Sequence, residues 1–317
     1  MFTGPTGANA IESAIKLARK VKGRQNIWAF MGAFHGMTLG ALALTTDRAA
    51  RGGAGVSLEN VTHIPAPYMF KDLNVIEYMQ RLLDDDHSGI SKPAAIIVET
   101  TQAEGGVYVF ENEFLKALRE FCDKNDILMI IDDIQAGSAR TGKYFSFERA
   151  NITPDILTLS KSIGGYGFPL ALTLFKPELD IWNPGEHNGT FRGNQIAFVA
   201  ATAGLRFMLD NNIESETERK GNLVKEFLET EIEPLDSNIT TRGIGLIYGI
   251  DFANVNIVNM TSLVQKKCFS KKLVIETAGR NDAVLKILPP LTISDEDLMK
   301  GLNIIKESII EVIEENK

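Results

Sequence analysis

Cysteine is scarce in this sequence: two residues in 317, Cys122 and Cys268. They stand far apart and form no metal-ligand or redox spacing, which excludes a disulfide scaffold and leaves two reduced thiols of an intracellular chain as the expectation. Long apolar runs are missing too. None approaches the ~20 residues that span a bilayer. The opening Met1-Phe2-Thr3-Gly4-Pro5 has neither a charged start nor an apolar core, so no secretory leader is expected and a cytoplasmic location is. Positive charge is in deficit. With 33 Lys plus Arg against 41 Asp plus Glu, the net charge is −8. An acidic chain without a basic block is a poor binder of nucleic-acid backbone or of an anionic membrane surface.

Several catalytic motifs are also absent. No Gly-x-Gly-x-x-Gly opens a helix after a strand. Gly137 to Lys143 approaches a phosphate-binding P-loop, but Tyr144 stands where Ser or Thr would hold magnesium. There is no Gly-x-Ser-x-Gly elbow and no His-Glu-x-x-His pair.

What is present reads as an ordinary globular chain, 44% hydrophobic and 23% charged, without repeats or low-complexity tracts. A glycine turn leads into a helix, with Ala10, Ile11, Ala14, Ile15, Leu17, Ala18 and Val21 on one face. Apolar runs at 27–31, 94–98, 127–131, 155–159 and 170–175 read as strands, with a helix over 113–124. Near-continuous Ile, Val and Leu strands joined by helices indicate an α/β fold with a mostly parallel sheet covered on both faces. Helices follow at 195–209 and 214–229. The texture then changes to strand-like runs at 244–252 and 273–276 and a helix from the N-cap Ser294. The expected organisation is a large domain over 1–235 and a smaller α+β domain over 236–317.

Polar residues gather where the apolar strands end, which is where open α/β sheets place ligands. Glu99, Gln102 and Glu104 follow one strand. Asp132, Asp133 and Gln135 follow the next. Lys161 follows a third, with Gly164, Gly165 and Gly167 behind it. Singly these are unremarkable, since a strand-end Asp often caps a helix and a lone Lys is usually solvated. Together, an acid, a lysine and a glycine turn at a helix start suit pyridoxal phosphate. Its aldehyde needs an amine, its pyridine nitrogen needs a carboxylate and its phosphate needs N–H groups at a helix start.

The run from Asp132 through Gly142, followed by Pro154 through Lys161-Ser162-Ile163-Gly164-Gly165, resembles the signature of the class III (ω-type) pyridoxal-phosphate aminotransferases. So do Thr6-Gly7-Ala8-Asn9-Ala10-Ile11-Glu12, Phe34-His35-Gly36 and Thr190-Phe191-Arg192-Gly193-Asn194. The resemblance implies fold type I, with a seven-stranded type of sheet in the large domain. A narrower likeness, to the diaminobutyrate branch of that family, rests on four blocks: 2–7, 34–42, 186–194 and 275–279. It implies L-2,4-diaminobutyrate as amino donor, 2-oxoglutarate as acceptor and an ectoine-type pathway. Another ω-amino donor (ornithine, acetylornithine or 4-aminobutyrate) and a non-catalytic fragment stay open as alternatives.

The resemblance also implies roles. Lys161 would bond the cofactor aldehyde and move the proton, and Asp132 would pair with the pyridinium. Gln135 would bind the phenolic oxygen and Phe34 would stack on the ring. Thr6, Gly7 and Ala8 would meet the phosphate, with His35 and Glu99 close by. Thr190 would reach the phosphate of a neighbouring subunit, since such sites are shared in a homodimer. Glu104 would pair with the residue before Ile287-Leu288-Pro289-Pro290, and Arg192 is a second candidate for a substrate carboxylate. The family usually has arginine shortly before the two prolines. Here the residue before Ile287-Leu288-Pro289-Pro290 is Lys286, a point charge in place of a fork. Family members also carry a segment before the Thr-Gly turn, so part of the small domain and of the dimer contacts is expected to be missing.

Overall fold

The computed structural model describes residues 5–165 and 167–316; Phe2 to Gly4 of the opening motif lie outside them. In chain order its helices are α1 (Gly7–Lys22), α2 (Leu39–Leu44), α3 (Arg48–Gly52), α4 (Val75–Asp84), α5 (Asn112–Lys124), α6 (Gln195–Asp210), α7 (Ile213–Phe227), α8 (Met260–Ser270) and α9 (Asp295–Glu315). Its strands are β1 (Ile27–Phe30), β2 (Val61–Ile64), β3 (Ala95–Val98), β4 (Thr101–Gln102), β5 (Tyr108–Val109), β6 (Leu128–Asp132), β7 (Ile156–Leu159), β8 (Leu172–Phe175), β9 (Thr240–Ile244), β10 (Ile247–Asp251), β11 (Glu276–Ala278) and β12 (Val284–Ile287).

The chain divides into two compact units. The first comprises the described residues up to Thr100 with Phe110–Ser138 and Phe145–Asn211. The second comprises Thr101–Val109, Ala139–Tyr144 and the chain from Asn212 onward. The expected boundary at residue 235 is therefore too late. Helix α7 belongs to the second unit because its Val224 and Phe227 are buried in that unit's core with Ile250, Leu285 and Ile309.

The first unit is built on a six-stranded sheet in the order β2-β1-β3-β6-β7-β8. Six strands of this mostly parallel sheet lie among the described residues. β2, β1, β3, β6 and β7 run parallel, and β8 is antiparallel to β7. Alternation along the strands feeds two cores. Trp28, Phe30, Ile96, Val98, Met129 and Ile131 face one side, against α5 residues Leu115, Leu118 and Phe121. Ile27, Ala29, Ala95, Ile97, Leu128 and Ile130 face the other, against Ile11, Ala14, Ile15 and Ala18 of α1. Side chains of successive strand residues point to opposite faces, so each short strand serves both layers. Burial of each Ile, Leu or Phe contributes roughly 1.5–3 kcal/mol. Helix α6 is different. It is apolar yet buries only Ala197, while Ile196, Phe198, Val199, Leu205, Phe207 and Leu209 are exposed.

The second unit carries an antiparallel sheet, β11-β12-β10-β9, packed with α7, α8 and α9. The run expected as one strand over 244–252 holds the last residue of β9, a turn and β10, and the rest of β9 was not expected. Gly245, at φ +56°, turns β9 into β10, and a Cβ there would lie 2.5 Å from the Arg140 carbonyl oxygen. β11 starts at Glu276, later than the expected 273–276. β2, β12 and the β4–β5 hairpin were not expected.

Asp155 ties the sheet of the first unit together at the start of β7. Oδ2 accepts from the Met129 N–H at 2.7 Å and from Arg119 at 2.8 Å, and Oδ1 accepts from Lys176 at 2.7 Å. Burial alone would lift its pKa, but the Lys176 bond, the Met129 N–H and Arg119 bring it below the ordinary 3.8. The ionised form is favoured by folding. Its contribution is therefore present above about pH 4 and is lost as pH falls through the lower folded value. Asp155→Ala should destabilise the protein by ~3 kcal/mol. In denaturant titrations from pH 7 to 2, Asp155→Asn should weaken the loss of stability that the native chain shows at the acid end. An unchanged acid limb would refute this.

Candidate active site

The site is assembled at the carboxyl ends of the parallel strands in the first unit. Asp132 is the last residue of β6 and is buried. Its Oδ2 lies 2.7 Å from His35 Nδ1, and its Oδ1 accepts the Ile134 N–H at 3.1 Å. A carboxylate has about four lone-pair sites, so Asp132 keeps capacity for another donor. His35 is wholly enclosed. The Thr45 hydroxyl accepts its N–H at 2.9 Å and that of Gly36 at 3.2 Å. His35 Nε2 has no partner among the described residues. Glu99, buried at the end of β3, accepts the Phe34 N–H at 2.9 Å. Glu99 thus fixes the backbone of the residue expected to stack on a ring.

Lys161 lies on the neighbouring strand end. Asp132 pairs in register with Thr158 of β7, and Lys161 follows three residues later. Its φ is +52°, in the left-handed region that non-glycine residues seldom occupy. The preceding Ser160 is extended, and its hydroxyl donates to the Leu170 carbonyl at 2.9 Å. The chain therefore breaks abruptly from strand into turn at the lysine.

Thr6 is the N-cap of α1, and its N–H donates to Asn9 Oδ1 at 2.9 Å. Gly7 and Ala8 open the helix, where N–H groups have no intrahelical acceptor. Gly7 is required by space, since a Cβ there would sit 2.9 Å from the Ile134 side chain. This brings the α1 start beside the segment that follows Asp132 and carries the half-buried Gln135. The groups that stand here are a helix start, a buried acid and, on the neighbouring strand end, a lysine.

Other expected residues lie elsewhere. Thr190 and Arg192 are exposed on the segment before α6, and Arg192 donates to the His187 carbonyl at 3.2 Å. Glu104 and Lys286 belong to the second unit and do form an ion pair, at 2.7 Å. Lys286 is buried on β12 and also lies 3.2 Å from Glu276. A single ammonium thus serves two carboxylates without a planar fork. Lys143, of the discarded P-loop, pairs with Glu218 at 2.9 Å.

Sequence reasoning gave no role to Asp133, the next residue on the strand end. It is buried, its Oδ2 accepts the Ser146 N–H at 3.0 Å, and its Oδ1 has no partner among the described residues. Burial pushes its carboxyl up to about 7, helped by the charge of Asp132 and opposed by the bonds to Ser146.

Residues 1–309 match the family described as Aminotransferase class-III. The chain belongs to that family, and it is an aminotransferase. It is 51% identical to the diaminobutyrate–2-oxoglutarate transaminase of Nocardia farcinica over 97% of this chain and 70% of that protein. It is 50% identical to the enzyme of the same name from Wolinella succinogenes over 100% of this chain and 74% of that one. Among solved structures, the taurine:2-oxoglutarate aminotransferase of Bifidobacterium kashiwanohense, in complex with PLP and glutamate, matches with a TM-score of 0.87 at 25% identity, over 98% of this chain and 75% of that one. A transaminase from Virgibacillus matches the fold with a TM-score of 0.91 at 20% identity, over 99% and 75%.

Asp133 has a pH signature. Between pH 3.8 and about 7 its folded carboxyl holds a proton that the unfolded chain has released. Unfolding free energy then falls as pH rises through that window. Asp133→Asn should flatten this slope, measured by urea titrations at pH 4.5, 6 and 7.5, roughly spanning the window. Parallel slopes in the two proteins would show that Asp133 is ionised throughout.

Proposed function

We propose that this chain moves the terminal amine of L-2,4-diaminobutyrate to 2-oxoglutarate, giving aspartate 4-semialdehyde and glutamate, with pyridoxal 5'-phosphate as cofactor. The observation that carries the substrate is the likeness to diaminobutyrate–2-oxoglutarate transaminases at about half identity over nearly the whole chain. The geometry supports the cofactor, because Asp132 keeps a free lone pair in a buried place and the α1 start has N–H groups free of intrahelical acceptors.

When bound, pyridoxal phosphate supplies a carbon that takes and returns the amine and a ring that stores electrons. The chain's residues do the rest. Asp132 accepts the pyridinium N–H and keeps it protonated, while His35 and the Ile134 N–H hold the carboxylate in place. Lys161 Nζ takes the proton from one carbon and returns it to another. Gln135 donates to the phenolic oxygen. Phe34 stacks on one ring face, its backbone fixed by Glu99. Gly7 and Ala8 donate N–H groups to the phosphate beside Thr6. Lys286, held by Glu104, receives a substrate carboxylate when that pair opens.

The working form is a homodimer, in which Thr190 reaches the partner's phosphate. The exposed apolar faces of α6 support it, since a helix apolar all round belongs in an interior. The setting is the cytoplasm and an ectoine-type pathway.

The test begins with the visible spectrum of the purified chain plus pyridoxal phosphate, before and after diaminobutyrate. A band that bleaches with the amine, and that Lys161→Ala fails to form, is expected. Unit charges ~4 Å apart at an effective dielectric of ~20 interact by ~4 kcal/mol, so Asp132→Asn should keep the cofactor but lower turnover by about 10³-fold. In a donor panel with ornithine, acetylornithine and 4-aminobutyrate, diaminobutyrate should have the highest kcat/KM. If it is the slowest donor, the substrate assignment is wrong. Sedimentation equilibrium should give twice the 34.9 kDa chain mass.

A further inference from the structure

Glu12 stands on the polar face of α1, and its Oε1 accepts three hydrogen bonds. They come from Thr38 Oγ1 at 2.6 Å, Gly40 N at 2.9 Å and Ala41 N at 3.1 Å. Thr38 is the N-cap of α2, but its own side chain caps nothing. Glu12 therefore satisfies the first N–H groups of α2 from a different helix. A second contact lies beside it. Gly36, at φ +132°, comes so close to α1 that a Cβ would be 2.8 Å from Ala8 Cβ and 3.2 Å from Ala8 Cα. Phe34 and His35 precede this point, and α2 follows it. The segment bearing the aromatic wall is thus pressed on the first turn of α1 at Gly36 and latched to its second turn at Glu12.

We infer that Glu12 is a positioning residue. It fixes the spacing between the phosphate-facing start of α1 and the Phe34–His35 wall, and so sets how tightly and in what orientation the cofactor is held. The inference rests on the cofactor reading proposed above. The chemistry suits a carboxylate. One oxygen answers three donors, and an ionised acceptor bonds N–H groups more strongly than a neutral one. Glutamine would keep an acceptor oxygen. Alanine would leave the Gly40 and Ala41 N–H groups without one.

Gly40 allows the latch to be opened without removing Glu12. An added Cβ at Gly40 would lie 2.3 Å from Glu12 Oε2, so Gly40→Ala has to push the carboxylate aside. Gly40 lies within α2, where alanine favours the helix over glycine. Apo-protein is titrated with pyridoxal phosphate, the visible circular dichroism of the bound cofactor is recorded, and the melting of each apo-protein is measured. Glu12→Ala and Gly40→Ala should each raise the Kd by about tenfold and reduce the visible dichroism. Glu12→Gln should bind within about threefold of the native chain. Gly40→Ala apo-protein should melt no lower than the native one, and Glu12→Ala/Gly40→Ala should bind like Glu12→Ala alone. Native affinity and dichroism in Gly40→Ala would overturn the inference, as would affinity losses that merely track melting. A native chain that binds no pyridoxal phosphate removes the cofactor reading, and this inference with it. A native chain that binds while both variants bind equally well removes the role of Glu12 alone.

Discussion

The first unit depends on keeping a carboxylate buried at the end of a central strand. Asp132 is shut away from water, and a buried charge without partners is heavily disfavoured. Its two oxygens are met by His35 Nδ1 and the Ile134 N–H. The Ile134 bond is local and follows from the turn after β6. The His35 bond is not. It requires the segment after β1 to fold back over the strand ends, and that segment has to be pinned in turn. Thr45 holds His35 and Gly36, Glu99 holds Phe34, and Glu12 holds Gly40 and Ala41. Each pin is a side-chain oxygen accepting from a backbone N–H, so each removes a group that would otherwise be unsatisfied. The acid and the segment that folds over it are one hydrogen-bonded object.

Helix α1 is the frame against which this object is built. Its apolar stripe is buried on the sheet through Ile11, Ala14 and Ile15, which fixes the helix axis. Its polar face is then used for positioning instead of solvation. Glu12 takes the segment after Gly36. Further along, Lys16 donates to the Glu186 carbonyl at 2.7 Å and lies over the Trp182 ring, and Lys20 pairs with the Glu186 carboxylate at 2.6 Å. The same helix thus holds two segments that are remote in sequence, one ending at α2 and one leading to Thr190. Ion pairs of the Lys20–Glu186 kind, half-buried at the surface, add little stability. Their value here lies in the register they impose on a segment with no regular structure.

Much of this was legible in the sequence. Asp132 and Lys161 stood out because each ends an apolar run, and apolar runs ending in polar residues mark strand ends even in a single sequence. α1 was readable from its period, and helices were expected close to α5 and α6. β2 was not, because Thr62 and His63 interrupt its apolar run. β10 was read together with its turn because Ile244 and Leu246 continue its apolar run, and β9 was missed because Thr240, Thr241 and Arg242 are polar. The boundary between the units was misplaced for a similar reason. α7 is charged on its surface and signals its allegiance only through Val224 and Phe227. The pins on residues 34–41 left no periodic trace at all. Glu12 meets Gly40 across 28 residues, Phe34 meets Glu99 across 65 and His35 meets Asp132 across 97. Such pairings come from topology, which a local pattern does not encode.

The two groups expected to do the chemistry are held by opposite means, and this suits what is proposed for each. Asp132 is buried, doubly hydrogen-bonded and surrounded by pinned backbone. An acid that has to stay ionised beside a ring nitrogen throughout a reaction gains from such fixity, since a preorganised charge needs no reorganisation. Lys161 is exposed, and its backbone sits in a left-handed conformation at the break of a strand. Such a conformation stores about 1–3 kcal/mol and persists only where the surroundings impose it. Here Ser160 supplies the constraint, through its bond to the Leu170 carbonyl and the Ile163 N–H that donates back to its own carbonyl at 3.3 Å. The strain lies in the backbone, at the point where the lysine side chain leaves the strand end. An amine proposed to release one partner, carry a proton and take another has to be presented at a defined point of the site. The sheet therefore delivers a buried acid and an exposed lysine from adjacent strand ends, the first fixed through its side chain and the second through its backbone.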